Sequence, residues 1–116
     1  MENENCIFCR IAANEFNTPL LYEDEDIIAF KDIQPHARVH VLIIPRRHIP
    51  DIASMGAGDI ELLGRMNYVA IKLAEQLDIA ESGYRLLTNC RADSGQEVPH
   101  LHFHLIGGKF LGPFTL

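Results

Sequence analysis

The chain has 116 residues, 47% of them hydrophobic, and its 16 acidic against 10 basic side chains leave a net charge of −6. That length supports one cored domain over residues 1–116 and is too short for two, while the negative balance has the wrong sign for gripping long nucleic acid through its phosphates. No stretch has the apolar length of a membrane span, MENENCIFCR lacks the basic-then-apolar layout of a secretion signal, and three cysteines are an odd number, so a reduced, cytoplasmic setting without disulfides is expected.

Residues 5–14 carry Ile7, Phe8 and Ile11 at helical spacing and are followed by Thr18-Pro19, which predicts a short helix. Residues 20–23 and 27–31 flank the acidic turn Asp24-Glu25-Asp26 and read as a hairpin. Residues 38–45 are β-branched and nearly all apolar, as a strand in mid-sheet should be. The longest periodic stretch, 59–77, places Leu62, Leu63, Met66, Val69, Ala70, Leu73 and Leu77 on one helical face. Asp59 and Glu61 fall in its first turn, where the helix dipole favours them. Residues 84–88 read as a strand by composition and 100–106 by strict alternation. Between them lies a polar loop, 88–96, with a turn at Ser94-Gly95. The fold class is α+β: five strands in a mostly antiparallel sheet, with two helices expected on one side.

The informative segment is Gln96-Glu97-Val98-Pro99-His100-Leu101-His102-Phe103-His104-Leu105-Ile106-Gly107-Gly108. On a strand, His100, His102 and His104 project one way and Leu101, Phe103 and Leu105 the other. Three imidazoles in a row are a poor choice for packing, since each ring needs a polar partner once desolvated. Two chemistries fit. The histidines can share a metal that activates water, with His40 as a ligand from a neighbouring strand. Alternatively one imidazole attacks phosphorus while the others orient it, hold the phosphate oxygens and protonate the leaving group. The loop before the strand can point several N–H groups at an anion, which suits phosphate better than a hydrolytic metal.

The string His100-x-His102-x-His104 with apolar gaps resembles the signature of the histidine triad (HIT) nucleotide-binding superfamily. The similarity runs from Cys6-Ile7-Phe8-Cys9 through Ala29-Phe30-Lys31-Asp32-Ile33-Gln34-Pro35 and Ile43-Ile44-Pro45-Arg46-Arg47-His48 to Leu111-Gly112-Pro113. Gly107-Gly108 is similar to the Hint branch, whereas dinucleoside polyphosphate hydrolases usually continue with a Pro-Arg type sequence. The resemblance implies a HIT-like fold and a homodimer with a ten-stranded sheet. It also implies hydrolysis of purine nucleoside phosphoramidates, adenylylated lysine or aminoacyl adenylates through a nucleotidyl-histidine.

By position, the resemblance makes His102 the nucleophile and His104 a phosphate contact, with His100 and His40 in the network behind them. Asp32 matches the acceptor of the ribose hydroxyls, Phe30 and Ile33 the base pocket, and Asn89, Gly95, Gln96 and Glu97 the phosphate loop. Imidazole titrates near neutrality, so a neutral fraction is available to attack and the route requires no cofactor. Several members of the superfamily carry a structural zinc at positions matching Cys6, Cys9, His48 and His100, a tetrahedral donor set by chemistry; the alternative is that Cys6 and Cys9 are packing residues. Arg46 and Arg47 read as a solvated edge and His36 as exposed. Glu97, being anionic, is expected to favour a cationic leaving group such as a lysine side chain. The tail 110–116 is expected to approach the partner's site. Other function classes stay open: a nucleotide-binding regulatory protein with incidental turnover, a dinucleoside polyphosphate hydrolase, or a metal-dependent phosphoesterase.

Overall fold

The structure, a computed structural model, describes residues 4–113. The sheet contains β1 (Tyr22–Glu23), β2 (Ile27–Lys31), β3 (Val39–Pro45), β4 (Tyr84–Leu87) and β5 (Phe103–Gly107), in the spatial order β1-β2-β3-β5-β4. Every neighbouring pair is antiparallel. The helices are α1 (Ile7–Ala12), α2 (Ile60–Gln76) and α3 (Arg91–Ser94), with two single 3₁₀ turns leading into α2. The turn before β2 forms because Asp24 Oδ1 accepts the backbone N–H groups of Asp26 and Ile27, at 2.7 and 2.8 Å. Helix α1 stops at Ala12 because Asn14 takes a left-handed conformation, φ 63°, which a short polar side chain tolerates.

β3 is buried along its whole length, as its composition predicts, and alternation divides its side chains between two cores. Val39, Val41 and Ile43 join Met66, Val69, Ala70 and Leu73 of α2, together with Leu101, Phe103 and Leu105. Leu42 and Ile44 join Phe8, Cys6 and Cys9 around α1, with Ile28 and Phe30 of β2. The expectation of helices on one side is therefore corrected: α1 covers the face opposite α2. Only three of its apolar side chains show the spacing from which a face is read, and their spacing does not say which side of a sheet they meet.

Two further boundaries differ from expectation. The ladder of the last strand starts at Phe103, so His100, Leu101 and His102 precede it rather than belonging to it. They still alternate as the strand does, since Leu101 is buried in the α2 core and His100 and His102 contact Phe8 on the other face. The polar loop contains the single turn α3, closed by Gly95 at φ 84°. Residues 1–3 and 114–116, and with them part of the tail named above, lie outside the described residues.

Gly107 ends β5 against α2's C-terminal side. A Cβ there would lie 2.8 Å from Ile79 Cδ1 and 3.2 Å from its Cβ, and Ile79 is fully buried. Gly107→Ala is expected to destabilise the fold by about 1–3 kcal/mol through overpacking, measured as a lowered midpoint in urea unfolding.

Candidate active site

β3 and β5 set the site. In their register Leu42 faces His104 and His40 faces Ile106, so His40 and His104 are diagonal neighbours on one face. His40 Nε2 and His104 Nδ1 are 2.9 Å apart, and Asp32 Oδ2, just beyond β2, lies 3.4 Å from the same His40 nitrogen. The His36 backbone N–H donates to His40 Nδ1 at 3.0 Å. That bond fixes the tautomers in sequence. His40 Nδ1 is an acceptor, so its proton sits on Nε2 and is donated to His104 Nδ1. His104 then carries its proton on Nε2.

His102 is set in the opposite sense. Its Nδ1 lies 2.8 Å from the His100 carbonyl, which only accepts, so Nδ1 carries the proton and Nε2 keeps a lone pair. Thr88 Oγ1 donates to the His102 carbonyl at 2.7 Å, and the Phe8 ring meets the imidazole edge to face at 5.1 Å. Burial lowers the His102 pKa and, despite the nearby Asp32 charge, that of His40. Burial, followed by the neighbouring His102 and His40, pushes His104 down to about 4. All three rings are therefore neutral at pH 7.

A cavity of about 540 Å³ opens over His102 and His104. It brings together eight of the residues singled out in the sequence: Phe30, Asp32, Ile33, Asn89, Gly95, Glu97, His102 and His104. Asp32 is preset by the Gln34 N–H, which donates to its Oδ1 at 2.9 Å. Ile33 is 94% exposed and forms an apolar lip. His40 lies behind His104 rather than on the cavity wall, and Gln96 does not line it either. The Gln96 amide braces the loop, accepting from Arg91 N–H (2.7 Å) and donating to the carbonyls of Pro50 (2.8 Å) and Val98 (2.9 Å). Arg91 in turn donates from Nε to Asp51 at 2.9 Å, and that contact holds Asp51 below the usual carboxylate range. Arg91 stands at φ 66°, an uncommon conformation for this residue type, and the Asp51 side chain and Pro50 carbonyl of one other segment help define the loop's shape.

Sequence reasoning missed Ile7, Phe8, Ile11 and Val98 as cavity walls. The helical stripe at Ile7, Phe8 and Ile11 was legible, but not the surface it covers. His36 is exposed, as expected, yet its backbone serves His40. Arg46 and Arg47 are engaged at the edge with Glu23 and Asp59.

The second cluster sits behind the triad. His100 is fully buried, with Nε2 held 2.8 Å from the Pro45 carbonyl, which turns the Nδ1 lone pair toward Cys6 Sγ at 3.2 Å and Cys9 Sγ at 3.5 Å. His48 Nδ1 lies 3.2 Å from Cys9 Sγ. Donor atoms of all four residues lie within 4.8 Å of one another, as do those of Asp32, His40 and His104.

The comparisons with known proteins agree with this geometry. The HIT domain model matches residues 13–111, and the chain belongs to that family. It is 47% identical over 110 residues to the purine nucleoside phosphoramidase of Escherichia coli strain K12, a match covering 95% of this chain and 92% of that one. Among solved structures it is similar to a HIT family hydrolase from Clostridium thermocellum, with a TM-score of 0.94 at 49% identity, covering 98% of this chain and 99% of that one. A histidine triad protein from Clostridium difficile also superposes with a TM-score of 0.94, at 35% identity, covering 99% of this chain and all of that one.

The depressed His104 has a consequence for stability. Between the ordinary histidine value of 6.5 and about 4, the unfolded chain binds a proton at this position that the folded chain does not. Stability therefore rises with pH across that window and is lost as pH falls through it. Thermal melts should show Tm falling from pH 6.5 toward 4, and the fall should be shallower in His104→Gln.

Proposed function

We propose that this HIT-family hydrolase cleaves the P–N bond of purine nucleoside 5′-phosphoramidates, with His102 as nucleophile. The observation that carries the reading is the opposed tautomers: His102 presents a lone pair at Nε2, whereas His104 presents an N–H, on one cavity wall. A nucleophile and a hydrogen-bond donor side by side suit attack on a phosphorus whose oxygens must be held. In the first step a bond forms between His102 Nε2 and the α-phosphorus while the P–N bond breaks, the departing nitrogen taking a proton from solvent that the attacking water of the second step returns. Water then displaces the imidazole and releases the nucleoside monophosphate. His104 holds a phosphoryl oxygen and His40 fixes its tautomer. Phe30 and Ile33 flank the base, Asp32 accepts from the ribose hydroxyls, and Asn89, Gly95 and Glu97 frame the phosphate. Gln96 supports this loop from behind. The phosphoramidase similarity over nearly the whole chain points to the same substrate class.

The Cys6, Cys9, His48 and His100 set, buried except for the half-buried His48, fits a zinc ion: two sulfurs and two nitrogens, with the His100 nitrogen already oriented by its second-nitrogen bond to Pro45. Such an ion would tie α1 to the strand carrying the triad, a structural role away from phosphorus. A homodimer is the second assembly-level reading. Tyr68 and Ile71 on α2 and Tyr84 on β4 are 59%, 45% and 39% exposed, and β4 is a sheet edge, so pairing with a second β4 would extend five strands to ten.

His102→Ala is expected to abolish turnover of adenosine 5′-phosphoramidate, a loss of about 10³-fold or more, while calorimetry still detects nucleoside monophosphate binding. Retained turnover would reject the mechanism, and activity abolished by chelator alone would favour a metal at Asp32, His40 and His104. Native mass spectrometry of the intact protein should show a species of two chains carrying about one zinc each, with the metal lost in Cys9→Ser; a metal-free single chain of 13.1 kDa would reject both assignments.

A further inference from the structure

The face that carries the triad does not end at His104. By register, Leu42, His104 and Leu87 form one row across β3, β5 and β4, and His40, Ile106 and Arg85 form the next. A second cavity, about 460 Å³, lies over these rows. It shares His36, Asn89 and His104 with the first cavity, whereas His102 lines only the first. Leu87 and Ile106 contribute apolar surface to it, and Arg85 and Lys109 contribute charge. A third cavity of about 500 Å³ adjoins it through Arg85 and Lys109 and adds Arg38. The second and third together make one trough leading away from the triad.

The charge distribution along the trough is uneven. Among the described residues, Arg10, Arg46, Arg47, Arg65, Lys72 and Arg91 each lie within ion-pair distance of a carboxylate. Lys31, Arg38, Arg85 and Lys109 do not, and three of these four line the trough beyond His104. Among the described residues, none that is acidic lines either of its cavities. Arg85 donates to the carbonyls of Leu111 and Gly112, which fix its guanidinium without cancelling its charge. In a chain of net charge −6, three uncompensated cations gathered beside one cavity form a local attractor for an anion.

Displacement at phosphorus places the attacking and leaving atoms roughly in line, on opposite sides. With His102 attacking from the first cavity, the amine departs past His104 and Asn89, into the second. We propose that the trough is the leaving-group subsite and selects amines that carry a carboxylate several bonds from the nitrogen, the apolar chain over Leu87 and Ile106 and the acid at Arg85 and Lys109. This rests on the phosphoramidase reading. The length follows from the strand: Ile106, opposite Arg85, is two residues beyond His104, roughly 7 Å along β5. The chemistry is that of the first step above, the P–N bond breaking as the phosphorus bond to His102 forms and the departing nitrogen taking the proton. Glu97, expected from the sequence to favour cationic leaving groups, lines the first cavity and not the trough, so the charge on the exit side has the opposite sign from that expectation.

The test compares two adenosine 5′-phosphoramidates, one of 6-aminohexanoate and one of hexylamine, as substrates of the full chain. Their leaving amines differ in the terminal carboxylate. The carboxylate substrate should have a kcat/KM about five- to tenfold higher at low salt, with the advantage shrinking as ionic strength rises. Lys109→Gln should reduce the ratio and Lys109→Glu should invert it; Arg85→Gln should also reduce it, and Lys109, unlike Arg85, is not bonded to the Leu111 or Gly112 carbonyl, so its variants leave that tail contact in place. Equal turnover of both substrates by the parent, or a ratio unmoved by the Lys109 variants, overturns the subsite while leaving the phosphoramidase reading intact. Turnover of neither substrate overturns the subsite, and failure to turn over adenosine 5′-phosphoramidate as well overturns the phosphoramidase reading.

Discussion

The pairing of β3 with β5 is the constraint on which the rest of the structure depends. With Leu42 opposite His104, one face of the two strands carries His40 and His104 and the other carries Val41, Ile43, Phe103 and Leu105. A slip of one residue would exchange these sets, placing imidazoles against α2 and aromatic and aliphatic side chains in the cavity. Register is thus held by the hydrophobic core, and the site inherits its geometry from that core. The buried apolar residues on the α2 side do not touch the cavity, yet they decide which atoms face it.

Neutrality of the rings follows from the same burial. Each of the three imidazoles has its polar partner in a fixed place: a backbone amide for His40, His40 itself for His104, and a backbone carbonyl for His102. Desolvation removes the charge and hydrogen bonding assigns the remaining proton. Two identical side chains two residues apart consequently present opposite faces to a ligand, a lone pair from one and a proton from the other.

Much of this was legible in the sequence, for identifiable reasons. Strict alternation in 100–106 separated core from cavity, the run 38–45 marked the central strand, and the 59–77 periodicity located α2 to within a residue at each end. Legibility failed where contacts are distant in the chain and leave no pattern. Asp51 and Arg91 are 40 residues apart, and neither lies in a periodic segment. Gln96 was expected in the phosphate loop, and the three backbone groups its side-chain amide engages there follow from no local pattern. α1's placement on the face opposite α2 depends on Phe8 meeting Phe30, His100 and His102, which no local spacing encodes.

The contact from residue 36 to His40 is made by a main-chain N–H rather than by the imidazole of His36. Nineteen of the twenty ordinary amino acids carry that donor, and proline alone does not. The tautomer of the whole His40–His104 pair is therefore indifferent to nearly every side chain at position 36, so the exposed rim of the site is free to vary under selection for different ligands while the proton arrangement beneath it stays the same.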